Sequence, residues 1–147
     1  MSLEELLKER LIASIGVDKG LVAKTFQIAK RDLEVAKKVF EEESYSWGFA
    51  IAYNSMLQSG RSLMFSRGFK PAGEHKHISV VRFLHEVFGN EMTDRMITIF
   101  DRMRKKRHAM VYDEPDVISE QEAANALTWA EEFIQKIENI LKKEGFG

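Results

Sequence analysis

Apolar residues recur at helical spacing along almost the whole chain. Val22, Phe26, Ala29, Leu33, Ala36 and Phe40 step 4-3-4-3-4, which places them on one stripe of an amphipathic helix. Ala123, Leu127, Ala130, Ile134, Ile137 and Leu141 repeat that spacing. Between them come Phe49, Tyr53, Met56, Gly60 and Leu63, then Val80, Leu84 and Val87, then Met92, Met96, Ile99 and Met103. No segment alternates with period two between turn residues. The pattern predicts helices over 3–15, 20–42, 46–67, 77–88, 91–110 and 119–143.

Punctuation agrees with the pattern. Ser2 with Glu5, and Ser119 with Glu122, form candidate capping boxes, in which hydroxyl and carboxylate each satisfy an orphan N–H. Gly16, Gly68 and Gly89 each follow a periodic segment, where glycine tolerates a left-handed C-terminal residue. Pro71 and Pro115 fall in expected loops, where a missing N–H breaks no ladder. The expected fold is all-α: a compact up-and-down bundle of four to six helices, in one domain over 1–147. Its core covers about 20–142, preceded by the helix over 3–15. Segment 46–67 carries Gly48, Ala50, Ala52, Ser55, Ser59, Gly60 and Ser62, so it reads as a central helix that neighbours approach closely, ahead of a ligand groove.

Composition narrows the function. The chain has 147 residues, 44% hydrophobic and 31% charged, with a formal net charge of −1. A domain of roughly this length buries about 70% of its extended-chain surface, so no staples are required. Zero cysteines exclude disulfides, thiolate metal sites and a thiol nucleophile. No apolar run approaches the ~18 residues of a membrane span. The opening MSLEELLKER is acidic and amphipathic, which does not read as a secretory signal. The expectation is a cytoplasmic protein with no membrane association.

One segment stands out for chemistry. Five of the six residues from Arg102 to Arg107 are cationic, and His108 follows. Arg104 and His108 share a helix face, whereas Arg102 and His108 converge only if the helix end is distorted or a second copy supplies the partner. A basic turn that complements the helix macrodipole explains the same residues without function. Metal-free RNA cleavage explains them otherwise. Histidine serves as acid or base near neutral pH. Arginine forks stabilise charge on phosphorus. Lys105, Lys106 and Arg107 hold the backbone without reading sequence.

Asp113 either orients His108 or begins a turn. Tyr53 and Asn54 either line a nucleotide pocket or serve the core. The one Glu-x-x-His, Glu74 to His77, has no second copy, so a di-iron site is rejected and His77 reads as a surface residue beside a polar loop. No phosphate loop, nucleophile elbow or His-Glu-x-x-His is present. Neither a metal nor a cofactor is expected. A helix-turn-helix DNA reader lacks its recognition-helix pattern.

Several stretches resemble the HEPN domain family of prokaryotic helical proteins: Tyr53–Met56, Gly60–Met64, Ser66–Pro71, then His77 and Phe83-Leu84. The basic run to His108 with Tyr112-Asp113, and the final helix with Trp129-Ala130, fit the same order over residues 20 to 142. The resemblance implies a four- or five-helix bundle and a two-fold homodimer. It also implies that an Arg and a His with four to six residues between them meet their symmetry mates and cleave RNA without metal; five stand between Arg102 and His108, and Arg104 is one residue too close. Arg102 and His108, with Arg104 as the other candidate arginine, carry that role here. Met103 stands where the family commonly has a small polar residue, and Tyr112 lies four positions after His108 where silenced toxins carry a Tyr two after. The leading expectation is a metal-independent endoribonuclease, the toxin of a toxin–antitoxin module, with Tyr112, Asp113, Tyr53 and Asn54 in support. The alternative is a catalytically silent module that binds nucleotide or a minimal nucleotidyltransferase. A structural interaction bundle is the third reading.

Overall fold

The computed structural model describes residues 1–112 and 118–146. Its elements run α1 (Leu3–Lys8), β1 (Ile12–Ser14), α2 (Lys19–Glu41), α3 (Tyr45–Ser66), β2 (Phe69–Pro71), α4 (Lys76–Tyr112) and α5 (Glu120–Lys143). The protein is therefore all-α in its mass, with one small two-stranded sheet. No helix among the described residues is long and apolar enough to cross a membrane.

α3 lies at the centre, packed most extensively on α2, then on α5 and α4. Most of its residues are buried, including Ser55, Ser59, Ser62 and Ser66, and a stripe from Trp47 through Ile51, Asn54 and Gln58 to Arg61 reaches the surface. Each of these hydroxyls donates to the carbonyl three residues back, at 2.6 to 2.7 Å. That local bond removes the desolvation cost of placing a serine in a core. A β-carbon at Gly48 would lie 3.7 Å from the Ala36 carbonyl oxygen, so small residues let α2 and α3 approach closely as an antiparallel pair. α2 and α5 present the stripes read from sequence, from Val22 to Ala36 and from Ala123 to Leu141. Both capping boxes form, Ser2 with Glu5 and Ser119 with Glu122.

Two expectations are corrected. The helix expected over 3–15 stops at Lys8. Arg10 turns left-handed at φ 59°, and Ile12–Ser14 pairs antiparallel with Phe69–Pro71. The Leu3, Leu6, Leu7 and Leu11 spacing suits a helix. However, Ile12 is buried only by crossing to β2, where Ile15 N donates to Gly68 O at 2.7 Å and Gly68 supplies φ 81°. Tertiary pairing overrides the local period.

The helices expected over 77–88 and 91–110 are both present as the two limbs of α4, separated by non-helical backbone at Phe88 (φ −119°, ψ 17°) and Thr93 (φ 65°, ψ 149°); only the expected role of Gly89 is corrected. Gly89 does not supply the left-handed residue; Thr93 does, and its hydroxyl accepts from Met96 N at 3.3 Å, capping the second limb. Pro115 lies outside the described residues.

Gly60 tests the packing. An added β-carbon there would meet Val80 Cγ1 at 2.8 Å and Leu84 Cδ1 at 3.2 Å. Val80 is buried and β-branched, so it yields poorly. Gly60→Ala is expected to lower stability by about 1–2 kcal/mol in chemical denaturation, despite the better helix propensity of alanine. Gly89→Ala, with open space around it, is expected to be neutral or stabilising by up to ~1 kcal/mol.

Candidate functional site

The second limb of α4 is anchored by Ile97, Phe100, Met103 and Met110, all buried. Anchoring that face fixes where the cations between them point. Arg102 is exposed and lines a groove of ≈ 760 Å³ with Phe49, Arg95, Lys106, Glu122 and Trp129. Lys106 sits 3.5 Å from Glu122 across that groove. Arg104 turns inward instead: its Nε donates to Asp101 Oδ1 at 2.8 Å, and Lys105 pairs with the other oxygen at 3.4 Å. Arg107 lines a separate groove with Tyr45, Trp47, Met110 and Ile118.

His108 is exposed, and its ring centroid lies 4.6 Å from that of Tyr112. Tyr112 (69% exposed), Trp47 (67%) and Val111 (51%) are the most exposed large hydrophobics at this end of the bundle. Asp113 lies outside the described residues. Within one chain, no described hydrogen bond joins Arg102, Arg104 and His108 to one another. Arg102 faces the α5 side, while Arg104 faces the interior.

What Arg104 faces is a second group. Tyr53 is buried, stacks on Phe100 at 5.6 Å, and places its hydroxyl 2.9 Å from His77 Nδ1. No other described side chain accepts from that phenol, and a buried O–H must donate somewhere. Tyr53 therefore donates, Nδ1 accepts, and the imidazole proton resides on Nε2. Burial pushes the Tyr53 phenol well above its usual range, opposed in part by Arg104 and Arg107 and aided by Asp101. Desolvation pushes His77 down, and Arg107, Arg104 and Arg61 push it further the same way. A neutral imidazole with a fixed tautomer results.

Asn54, one residue on from Tyr53, donates to Asp32 across the α2–α3 seam at 2.8 Å. It also lines a groove with His77, Gln58, Arg61, Lys70 and Lys76. The structure thus divides the expected residues. Tyr53 bonds His77, Arg104 acts on both through its charge, Asn54 shares a groove with His77, and Arg102 and Lys106 share the α5 groove. His108 and Tyr112 stand together at the exposed end. His77 is not a surface residue beside a loop; it is half-buried in the first turn of α4. The available signal was Tyr53 itself, a core phenol that needed a polar partner.

Acidification reads the state of His77. Its folded pKa lies below the ordinary 6.5, so the unfolded chain binds the proton first as pH falls. Its contribution to stability is complete above about 6.5 and is lost toward the folded value. The denaturant midpoint is expected to fall over roughly pH 7 to 5, with a shallower fall in His77→Asn. Imidazole resonances should show Nε2 protonated at neutral pH.

A family model described as the HEPN domain matches residues 22–140. A protein of Methanocaldococcus jannaschii named "Putative toxin MJ0605" is 30% identical over 122 residues, covering 80% of this chain and 86% of its own.

Proposed function

The chain belongs to the HEPN domain family, and from that premise we propose that it is a metal-independent endoribonuclease acting as the toxin of a cytoplasmic toxin–antitoxin pair. One observation carries the reading. An exposed imidazole, His108, lies one turn before the end of a helical limb whose outward faces are cationic. The relative named as a toxin supports the biological class.

The chemistry is a transphosphorylation. His108 takes the 2′-hydroxyl proton, and the 2′-oxygen attacks phosphorus. The 5′-oxygen leaves with a proton from a second imidazole, giving a 2′,3′-cyclic phosphate and a 5′-hydroxyl. Arg102 stabilises the charge that builds on phosphorus, and Arg104, the other candidate, joins it only on leaving Asp101. Lys105, Lys106 and Arg107 hold the backbone, and Tyr112 and Asp113 support His108. A second copy of the single helical domain, seated on the Trp47, Val111 and Tyr112 end, supplies the second imidazole. The exposed apolar side chains there are the ones such a contact would cover.

A second reading is a silent binding module for a nucleotide or a minimal nucleotidyltransferase. It is favoured by the separation of Arg102 from His108 within one chain and by the Asp101 hold on Arg104. One assay separates the two. RNA should be cut in excess chelator, and His108→Ala should slow cutting by at least ~100-fold with an unchanged circular dichroism spectrum. Arg102→Ala is expected to do the same more mildly. An intact chain that leaves RNA whole but binds ATP or a nucleotidyltransferase transfers the assignment to the second reading.

A further inference from the structure

We propose that the groove between α3, β2 and the first turn of α4 binds the phosphate group of a phosphate ester, through Arg61, Lys70, Lys76 and the Nε2–H of His77. The groove has a volume of ≈ 430 Å³, and among the described residues no carboxylate lines it. No described ion pair engages Arg61, Lys70 or Lys76. The contrast with the basic run is direct, because Arg104, Lys105 and Lys106 each sit against an acid. Positive charge in this groove is uncompensated, and it comes from three separate elements that converge.

The donors are also held ready. The Arg61 guanidinium lies 5.5 Å from the Phe65 ring centroid, and its Nη1 donates to Gln58 Oε1 at 2.9 Å. Those contacts orient the fork and leave its remaining N–H groups for an oxyanion. Tyr53 occupies His77 Nδ1 from the core side, so the outer nitrogen is a fixed donor rather than a rotating one. Lys76 and His77 open α4, and the first N–H groups of a helix lack intrahelical acceptors and carry its positive dipole end. Asn54 meanwhile holds Asp32 against the α2–α3 seam.

A tetrahedral oxyanion with one or two charges is the ligand these donors fit. A small phosphomonoester and a nucleic-acid backbone both present it. The proposal stands apart from the endoribonuclease reading, since it concerns binding at other residues.

The test is NMR titration of the isotopically labelled full chain at low ionic strength. One arm uses inorganic phosphate; the other uses a 2′-O-methyl oligoribonucleotide of about eight residues, which cannot be cleaved. Saturable shifts of the His77 Nε2–H and Arg61 Nε–H signals are expected with phosphate. The double variant Arg61→Gln, Lys76→Gln should weaken binding at least about tenfold, while Lys30→Gln on α2 leaves it unchanged. If the oligonucleotide moves the same signals and loses affinity in the same variant, the groove holds a backbone phosphate. If only free phosphate does so, it holds a small ester. Non-saturating shifts, or equal affinity in a double variant whose amide spectrum is native, would overturn the proposal.

Discussion

Burying most of one helix sets severe terms for its composition, and α3 meets them everywhere except the stripe from Trp47 to Arg61 that reaches the surface. Polar groups on the buried faces cannot reach water, so Ser55, Ser59, Ser62 and Ser66 each bond the helix's own backbone. The helix cannot carry bulk everywhere, so glycine stands where α2 and the first limb of α4 come closest. A phenol on such a helix must find a partner from a neighbouring element. Tyr53 finds His77, and that bond joins the core to the polar surface of α4.

The same constraint explains why the polar residues of this protein sort into separate groups. α4 presents two limbs to α3, and each limb brings its own basic residues. The first limb brings His77 and Lys76 to the α3–β2 edge. The second turns Arg104 inward, within electrostatic reach of Tyr53 and His77, and leaves Arg102 and His108 outside. Charges that neighbour one another in sequence are thereby dispersed around a cylinder, which is what a helical repeat of 3.6 residues dictates.

Much of the bundle was legible from spacing alone. The α2 and α5 stripes and both capping boxes depend on neighbours three and four residues away, and such signals survive folding. The short strands were not legible, because Ile12 pairs with Pro71 across nearly the whole first half of the chain and no local pattern encodes that partner. The basic run was visible by composition, but the direction of each side chain was not. Arg104 shares a helix face with His108 in sequence terms, yet Asp101 draws its guanidinium elsewhere. His77 was hidden for a related reason: a histidine beside a glycine-bearing turn looks solvated until the phenol behind it is located.

The irregular stretch from Phe88 to Thr93 acts as an angular setting for the second limb. Each residue of helix turns the chain by about 100°, so the number of residues in the break decides the compass bearing of everything after it. Deleting one would set that bearing against the buried face of Ile97, Phe100 and Met103, which seats the limb on the core in one orientation. A β-branched residue held at φ 65° and ψ 149° costs about 1–3 kcal/mol. By holding it, the chain keeps the basic face of one limb in phase with the histidine of the other.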